Sequence, residues 1–267
     1  MSNWLSTDSG GRVLPPLSLP LAFHPSRTYI YLPVHRHLSP ELPSAFVAPE
    51  GIMRVLVLGG TGAIGQLLVQ EALAAKHVVV IYTRSPQKLP ESITSHRDVV
   101  VVKGELQDEE ALAKAMEGVH AVLSALGPSA WHPRGTPLAK GYKTVLKVMH
   151  AHGVKRLIAL GTPSIRDPLD RFSPMYSSMV AVIATLANTA YRDIVAVGDV
   201  IRADEELVWT IPRVPILTNS DNREVLTGYA GEFKMGPTVA RVAFAAFVVQ
   251  ELEKNAWARK APIICSA

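Results

Sequence analysis

The chain has 267 residues, of which 48% are hydrophobic and 19% are charged, and this balance excludes a globally disordered protein. Its single cysteine, Cys265, excludes an intrachain disulfide framework and a cysteine-only metal cluster, and it favours a reducing, cytoplasmic location. The net charge of +4 comes from scattered basic residues, so we expect no nucleic-acid partner. The longest apolar region, Met179 to Ala190, is too short to span a bilayer, and no membrane partner is predicted.

Residues 1–50 differ from the rest of the chain, because they hold eight of the 20 prolines. Prolines at that density prevent helix and interrupt sheet. Two interpretations remain open: a disordered extension, or an upstream start with Met53 as the natural first residue. We expect no chemistry and no metal site here, since no packed element would hold its histidines. The predicted domain therefore occupies residues 51–267.

The segment that begins at Arg54 joins a run of apolar β-formers to a glycine-rich turn, and a helical pattern follows from Ala63 to Ala75. Strand, glycine turn and helix form the context that a dinucleotide-binding fingerprint requires. Its glycines allow a tight turn, an approach of the backbone to pyrophosphate, and close packing of helix on strand. Pyrophosphate is expected at the helix N-terminus, where free N–H groups favour negative charge. The predicted cofactor contacts in this segment are Gly59, Thr61, Gly62, Ala63, Ile64 and Gly65.

From Met53 onward, apolar strands alternate with helices. Further strands are predicted at 78–83, 99–102, 121–125 and 156–160, with helices at 108–116 and 137–152. This alternation predicts a parallel sheet covered by helices on both faces, which is a Rossmann-type doubly wound α/β domain.

The alternation changes after Gly161, and this part is expected to form a small C-terminal substrate-binding portion. A loop is predicted over 162–175, followed by helices at about 175–189 and 192–206 and a strand at 208–211. A long turn-rich stretch, 212–237, precedes a helix at 239–254 and a closing strand at 262–265.

The end of the second strand indicates which nicotinamide cofactor is bound. Folds that select NAD place an acid about 20 residues after the glycines, whereas folds that select NADP place an arginine there. This strand ends with Arg84 and Ser85 and has no acid, which favours NADP(H) with Arg84 on the 2′-phosphate. The alternative is a surface arginine in a loop.

Two more segments are predicted to contact the cofactor because they follow strands at their carboxyl ends. Glu105 and Leu106 follow the third strand and are interpreted as adenine contacts, or alternatively as a simple turn. The small residues that close the fourth strand would lie against the cofactor, unless they only end the strand; they are Ser124, Ala125 and Leu126.

These residues together resemble a known family. The segments 59–65, 104–106, 124–127, 153–158 and 209–215, with Arg84, occur in the order seen in atypical short-chain dehydrogenases. The most similar subgroup comprises the NmrA-like and biliverdin reductase B or flavin reductase-like NAD(P)H-binding proteins. The resemblance covers about residues 53–267, and it departs at Glu105, where the family usually has Asp, and at Val214.

The Tyr-x-x-x-Lys dyad of typical short-chain dehydrogenases is not found. Four tyrosines, at positions 142, 176, 191 and 229, are followed four residues later by Leu, Val, Val and Phe. The resemblance then implies that hydroxyl residues after the fifth strand assist hydride transfer, which indicates Thr162 and Ser164. Thr162 is interpreted as a donor to a developing oxyanion, or equally as the cap of a turn. Tyr176 is a further candidate phenol, with helix packing as the alternative.

Other residues have weaker functional interpretations. His132 is predicted to lie on the surface, with a position at the mouth of the cleft as the alternative. Arg213 is predicted to pair with an acid under the sheet rather than to orient substrate. The loops 128–136, 163–175 and 216–236 contain aromatic residues such as Trp131 and Phe172, which suggest a flat or apolar substrate.

The resulting prediction is an NADPH-dependent oxidoreductase that acts on a small apolar carbonyl or conjugated substrate. Hydride transfer would depend on holding the substrate beside the nicotinamide, without a Tyr-x-x-x-Lys dyad. The alternative is an NmrA-like regulatory protein that senses NADP(H) without turnover. Epimerase or isomerase chemistry is a weaker third interpretation, because it generally needs a base. The only predicted partner is a small-molecule substrate.

Overall fold

The computed structural model describes residues 51–129 and 132–267. The prediction for residues 1–50 and the suggested role of Trp131 both lie outside these ranges. Six strands form a parallel sheet: β1 (Arg54–Leu58), β2 (Val78–Thr83), β3 (Val99–Lys103), β4 (Ala121–Ser124), β5 (Arg156–Ala159) and β6 (Val208–Thr210). Their order is β3-β2-β1-β4-β5-β6, so the direction of progress reverses between β1 and β4. The predicted Rossmann-type doubly wound sheet is confirmed.

Seven α-helices accompany the sheet within the described residues. They are α1 (Ala63–Ala74), α2 (Glu91–Thr94), α3 (Glu109–Met116), α4 (Pro137–Ala151), α5 (Pro174–Leu186), α6 (Asn188–Arg202) and α7 (Arg241–Lys254). Alternate residues of β1 face two different layers of helices. Val55 and Val57 pack in one apolar cluster with α1 and α7, whereas Leu56 and Leu58 pack in the other with α3, α4 and α6. The inner strands of the sheet are therefore buried on both faces, whereas the edge strand β3 is partly exposed.

The C-terminal portion differs from its prediction in detail. The turn-rich stretch contains two short strands, β7 (Ile216–Thr218) and β8 (Val225–Gly228). A third, β9 (Thr238–Ala240), occupies the predicted first turn of α7 and pairs with β7, while β10 (Ile263–Ser266) pairs with β8. These strands have three or four residues each, which is too short for a period-of-two pattern to be recognised.

Helices α5 and α6 both lie closer to the N-terminus than predicted. Helix α5 begins after Ser173, whose hydroxyl accepts the N–H of Tyr176. Helix α6 ends at Arg202 because the Asp204 carboxylate accepts the N–H groups of Glu206 and Leu207 and turns the chain toward β6. Among the described residues, no single helix is long and apolar enough to cross a membrane; α5 and α6 pass that test only jointly, as a pair bent by 118°.

A buried ion pair joins the sheet to α7. Arg156 of β5 donates to the Glu251 carboxylate at 2.9 Å and to the Thr210 hydroxyl at 2.8 Å. The same carboxylate accepts the N–H groups of Ala256 and Trp257, just beyond the helix. Burial raises the pKa of Glu251 against the opposing charge of Arg156, and burial lowers the pKa of Arg156 to about 10. Both groups therefore depend on each other to stay charged in the interior.

Replacement of one partner of this pair should strongly destabilise the fold. Glu251→Gln leaves the Arg156 guanidinium, which is 0% exposed, without a counter-charge, and we expect a loss of about 3–5 kcal/mol. Urea denaturation followed by circular dichroism measures this change. Glu253→Gln removes a carboxylate that is 51% exposed on the same helix, and it should change stability by less than about 1 kcal/mol. Equal losses in the two variants would contradict this interpretation.

Candidate cofactor-binding site

The glycine turn after β1 is built by contacts within the protein. Gly59 has a φ of +79°, a left-handed conformation that favours glycine. A Cβ on Gly65 would lie 2.0 Å from the carbonyl oxygen of Gly59, so only glycine lets α1 start this close to the strand. The sequence predicts that one glycine of this motif allows the helix to pack closely on the strand, and the geometry identifies that glycine as Gly65.

Gly62 differs from these two glycines. It is exposed and extended, with φ −80° and ψ 161°, and a Cβ there would meet among the described residues only the Gly59 oxygen, at an ordinary 3.5 Å. The protein's own packing therefore does not require glycine at this position. A backbone open to the outside fits the approach of a pyrophosphate.

The first turn of α1 provides the electrostatic part of this site. Within the described chain, no side chain caps this helix and no acid lies in its first turn. Its first N–H groups, including those of Ala63 and Ile64, have no acceptor within the helix itself. An uncapped helix N-terminus beside an exposed glycine is suited to bind a phosphate group, so these residues fit a dinucleotide.

A cavity of about 330 Å³ opens beside this helix start, over the carboxyl ends of the strands. Six of the predicted cofactor contacts line it: Gly59, Thr61, Arg84, Glu105, Leu106 and Leu126. The remaining predicted contacts are outside its lining: Gly62, Ala63, Ile64, Gly65, Ser85, Ser124 and Ala125. The first four of these form the start of α1, where an anion would be bound.

Arg84 directly follows β2 at the edge of the cavity. Its side chain is exposed and forms no ion pair with any residue that the structure describes. The N–H of Ser85 donates to the Thr83 hydroxyl at 3.1 Å, which fixes the backbone on both sides of the arginine. The guanidinium is thus free to bind an anion in the cavity.

Tyr82 shapes the neighbouring wall, a contribution that sequence reasoning missed. Its hydroxyl donates to the Glu105 carbonyl at 2.8 Å, and a Cβ on Gly104 would lie only 2.2 Å from the Tyr82 oxygen. Gly104 therefore makes room for the phenol, and the phenol holds the Glu105–Leu106 segment in place. Burial, with the nearby negative charges of Asp108 and Glu105, raises the pKa of Tyr82 to about 12.

Ser124 faces the core and supports the turn after β4. Its hydroxyl shares a hydrogen bond of 2.6 Å with the Tyr142 hydroxyl and accepts the N–H of Leu126 at 3.3 Å. Burial raises the pKa of Tyr142 to about 12, although the Ser124 contact opposes this. Tyr142 is thus a neutral structural partner, and Leu126 is the residue of this turn that reaches the cavity.

The side chain of His132 is buried, so its predicted surface position is wrong and the alternative position beside the cleft is the one observed. Its side chain is only 5% exposed, and Nε2 lies 2.6 Å from a carboxylate oxygen of Asp193 on α6. Asp193 also accepts the N–H groups of Leu138 and Ala139 at the start of α4. This carboxylate ties the loop after β4 to α4 and α6, and His132 becomes part of the cavity wall.

The predicted catalytic residues lie away from this first cavity. Thr162 follows β5, and its hydroxyl accepts the N–H of Ser164 at 3.4 Å, so it caps a turn while its own proton stays available for donation. Ser164 is buried. Tyr176 lines a separate cavity of about 610 Å³, but its hydroxyl donates to the Gly236 carbonyl at 2.6 Å, and burial raises its pKa. This geometry gives Tyr176 a packing contact and does not bring it to the cofactor cavity.

Arg213 forms a buried ion pair, as the structural interpretation of the sequence predicted. Its guanidinium donates two bonds to Asp170, of 2.6 and 2.7 Å, and one to the Ile165 carbonyl. Burial by itself would raise the pKa of Asp170. The hydrogen bonds and charge of Arg213, together with the N–H groups of Asp167 and Ala230, outweigh burial and hold this pKa below its ordinary value. The pair fixes the loop after β5 against the C-terminal portion.

Comparison with known proteins agrees with this geometry. A family model described as NAD(P)H-binding matches residues 59–255, and the chain therefore belongs to the NAD(P)H-binding family. This match and the fold confirm the predicted resemblance to atypical short-chain dehydrogenases, and they confirm that the cofactor is a nicotinamide dinucleotide.

The relatives include oxidoreductases. Oxidoreductase aflX from Aspergillus parasiticus is 30% identical over 168 residues, which cover 59% of this chain and 62% of that protein. The chain thus spans less than two thirds of the length of this relative. The family match shows NAD(P)H binding, and oxidoreductase is the name of this relative.

Solved structures share the fold at low identity. A short-chain dehydrogenase/reductase from Veillonella parvula, solved in complex with NADP, aligns with a TM-score of 0.66 and 18% identity, covering 80% of this chain and 94% of that chain. An anaerobillin reductase from Escherichia coli O157:H7 aligns with a TM-score of 0.62 and 17% identity, covering 80% and 97% respectively.

Two glycine substitutions should separate cofactor binding from folding. Gly62→Ala is expected to change stability by less than about 1 kcal/mol, because its Cβ meets no close neighbour, but to weaken NADPH binding by obstructing the phosphate. Gly65→Ala should destabilise the fold, because its Cβ would overlap the Gly59 carbonyl. Thermal denaturation and a fluorescence titration with NADPH measure the two effects. Parallel loss of stability and affinity in both variants would contradict this assignment.

Proposed function

We propose that the protein is an NADPH-dependent reductase of a small apolar carbonyl or conjugated substrate. The observation that carries this proposal is the cavity that joins the uncapped start of α1 to Arg84. A bound nicotinamide cofactor would supply the hydride, and the chain would hold both reactants in contact.

The preference for NADP(H) over NAD(H) rests on charge. An NAD-selective site has an acid at the end of β2 to accept the ribose hydroxyls, and here the residue at that place is Arg84. Its guanidinium can fork onto a phosphate with two charge-assisted hydrogen bonds. Glu105 lines the same cavity from the end of β3 and is proposed, with Leu106, to contact the adenine.

For catalysis we assign the main role to Thr162. It follows β5, at the edge of the sheet where ligands of this fold bind. The Thr162 hydroxyl accepts the N–H of Ser164, and its own proton is then available for donation to the oxygen that gains charge as hydride is transferred. Ser164 and Tyr176 remain weaker candidates, since Ser164 is buried and Tyr176 donates its proton to Gly236.

A second candidate function is an NmrA-like protein that senses NADP(H) without turnover. The observation that favours it is the absence of lysine four residues after Tyr142, Tyr176, Tyr191 and Tyr229. Cofactor binding alone is compatible with both functions, so turnover is the property that separates them.

Arg84→Gln should weaken NADPH binding much more than NADH binding. Loss of charge-assisted bonds to the 2′-phosphate predicts a decrease in NADPH affinity of about tenfold to a hundredfold, with little change for NADH. Fluorescence titration of both cofactors measures this selectivity. Arg97→Gln removes an arginine that is 91% exposed outside the cavity, and it serves as the control. Equal losses for the two cofactors with Arg84→Gln would refute the assignment.

Turnover should depend on the Thr162 hydroxyl. NADPH oxidation is measured with a panel of quinones, enones and flavins, and Thr162→Val should lower kcat by about 10²-fold while KM changes little. Thr162→Ser keeps the hydroxyl and should retain activity, and Thr94→Val, at an exposed position, is the control. Tight NADPH binding without oxidation by any acceptor would favour the sensor instead.

A further inference from the structure

The second cavity, of about 610 Å³, lies next to the proposed catalytic threonine. It begins at Pro163, one residue after Thr162, and the loop 166–173 forms one wall. Helix α5 forms the opposite wall, and Tyr191 of α6 and Ala230 close the sides. The loop after β5 and the 216–236 stretch, which the sequence predicts to enclose substrate, thus both contribute to it.

The acids in this cavity are already neutralised. Asp167 accepts from Arg202 at 3.1 Å, and Asp170 is held by both guanidinium nitrogens of Arg213. Neither Arg202 nor Arg213 is part of the lining. The two carboxylates therefore belong to the framework of the loop and contribute little net negative charge to the cavity.

The arginines in the lining are not neutralised. Arg166 and Arg171 both line the cavity with exposed side chains, and neither forms an ion pair within residues 51–129 and 132–267. The cavity thus presents two positive charges that no carboxylate of the described residues neutralises. Such a guanidinium pair is suited to a carboxylate.

The rest of the lining is largely apolar. Phe172, which follows Arg171 in the loop, is 82% exposed, and Pro163, Val180 and Ala184 extend the apolar surface. A large exposed aromatic ring in a cavity favours a ligand with a flat apolar body.

We propose that this cavity binds the substrate, and that the substrate is an aromatic or conjugated molecule that carries a carboxylate. The carboxylate contacts Arg166 and Arg171, and the apolar body lies against Phe172 and extends toward Thr162. This inference rests on the proposed reductase function for the identity of the ligand as substrate. The charge and the lining of the cavity are independent of that function.

The test compares 2-naphthoate with its uncharged methyl ester as probes of the full-length protein. Calorimetric titration, with and without saturating NADPH, should show that the carboxylate binds about tenfold more tightly than the ester. The variant Arg166→Gln with Arg171→Gln should reduce this preference to less than about threefold. A control with the same loss of charge, Arg97→Gln with Arg192→Gln, should keep the preference, because both positions are exposed and outside the lining.

The outcomes distinguish this inference from the proposed function. Equal binding of acid and ester by the unmodified protein, or equal loss of preference in the test and control variants, overturns the carboxylate site. Charge-dependent naphthoate binding without NADPH oxidation by any acceptor supports the site but refutes the reductase. Oxidation of NADPH with neutral enones, unaffected by the change at Arg166 and Arg171, supports the reductase and overturns the assignment of this cavity to substrate.

Discussion

The close contact between Gly65 and the Gly59 carbonyl constrains the entire cofactor half of the molecule. Because no side chain separates them, α1 begins directly over the end of β1 and its N-terminus points to the place where the sheet reverses its order. The same contact positions α1 against α7 in one of the two apolar clusters. The packing of the fold and the orientation of the anion-binding helix therefore depend on the same few atoms. A larger residue would have to displace the helix and the site together.

Two carboxylates, one buried and one partly buried, give the loops around the sheet a defined shape. Asp193 binds His132 and two backbone N–H groups at the start of α4, and Asp170 binds Arg213 and the N–H groups of Asp167 and Ala230. Each carboxylate joins segments that are distant in sequence. Walls ordered in advance lose less conformational entropy when a ligand binds. The ion pairs and hydrogen bonds of these carboxylates thus order the loop walls of both cavities.

The sequence predicts the cofactor half well, because its strands are uninterrupted apolar runs bounded by glycine or proline. Arg84 and Leu106, which the sequence predicts as cofactor contacts, both line the cavity, and each follows a strand whose end is easily recognised. His132 could not be placed, because its partner Asp193 is 61 residues away and no local pattern connects them. Strands β7 and β8 could not be predicted either, because they are too short to show an alternating pattern. They are defined by their pairing with β9 and β10. The position of Tyr176 depends in the same way on a distant acceptor, Gly236.

Gly62 also has a consequence for attempts to stabilise the protein. Replacement of glycine by alanine at a compatible backbone position is a standard stabilising strategy, because it reduces the freedom of the unfolded chain. By that criterion Gly62 is an attractive choice, since its backbone is extended and a Cβ has room. A screen for thermal stability would accept the change and would not detect its effect on the ligand. Stability measurements alone would therefore miss the role in phosphate binding that we predict for Gly62.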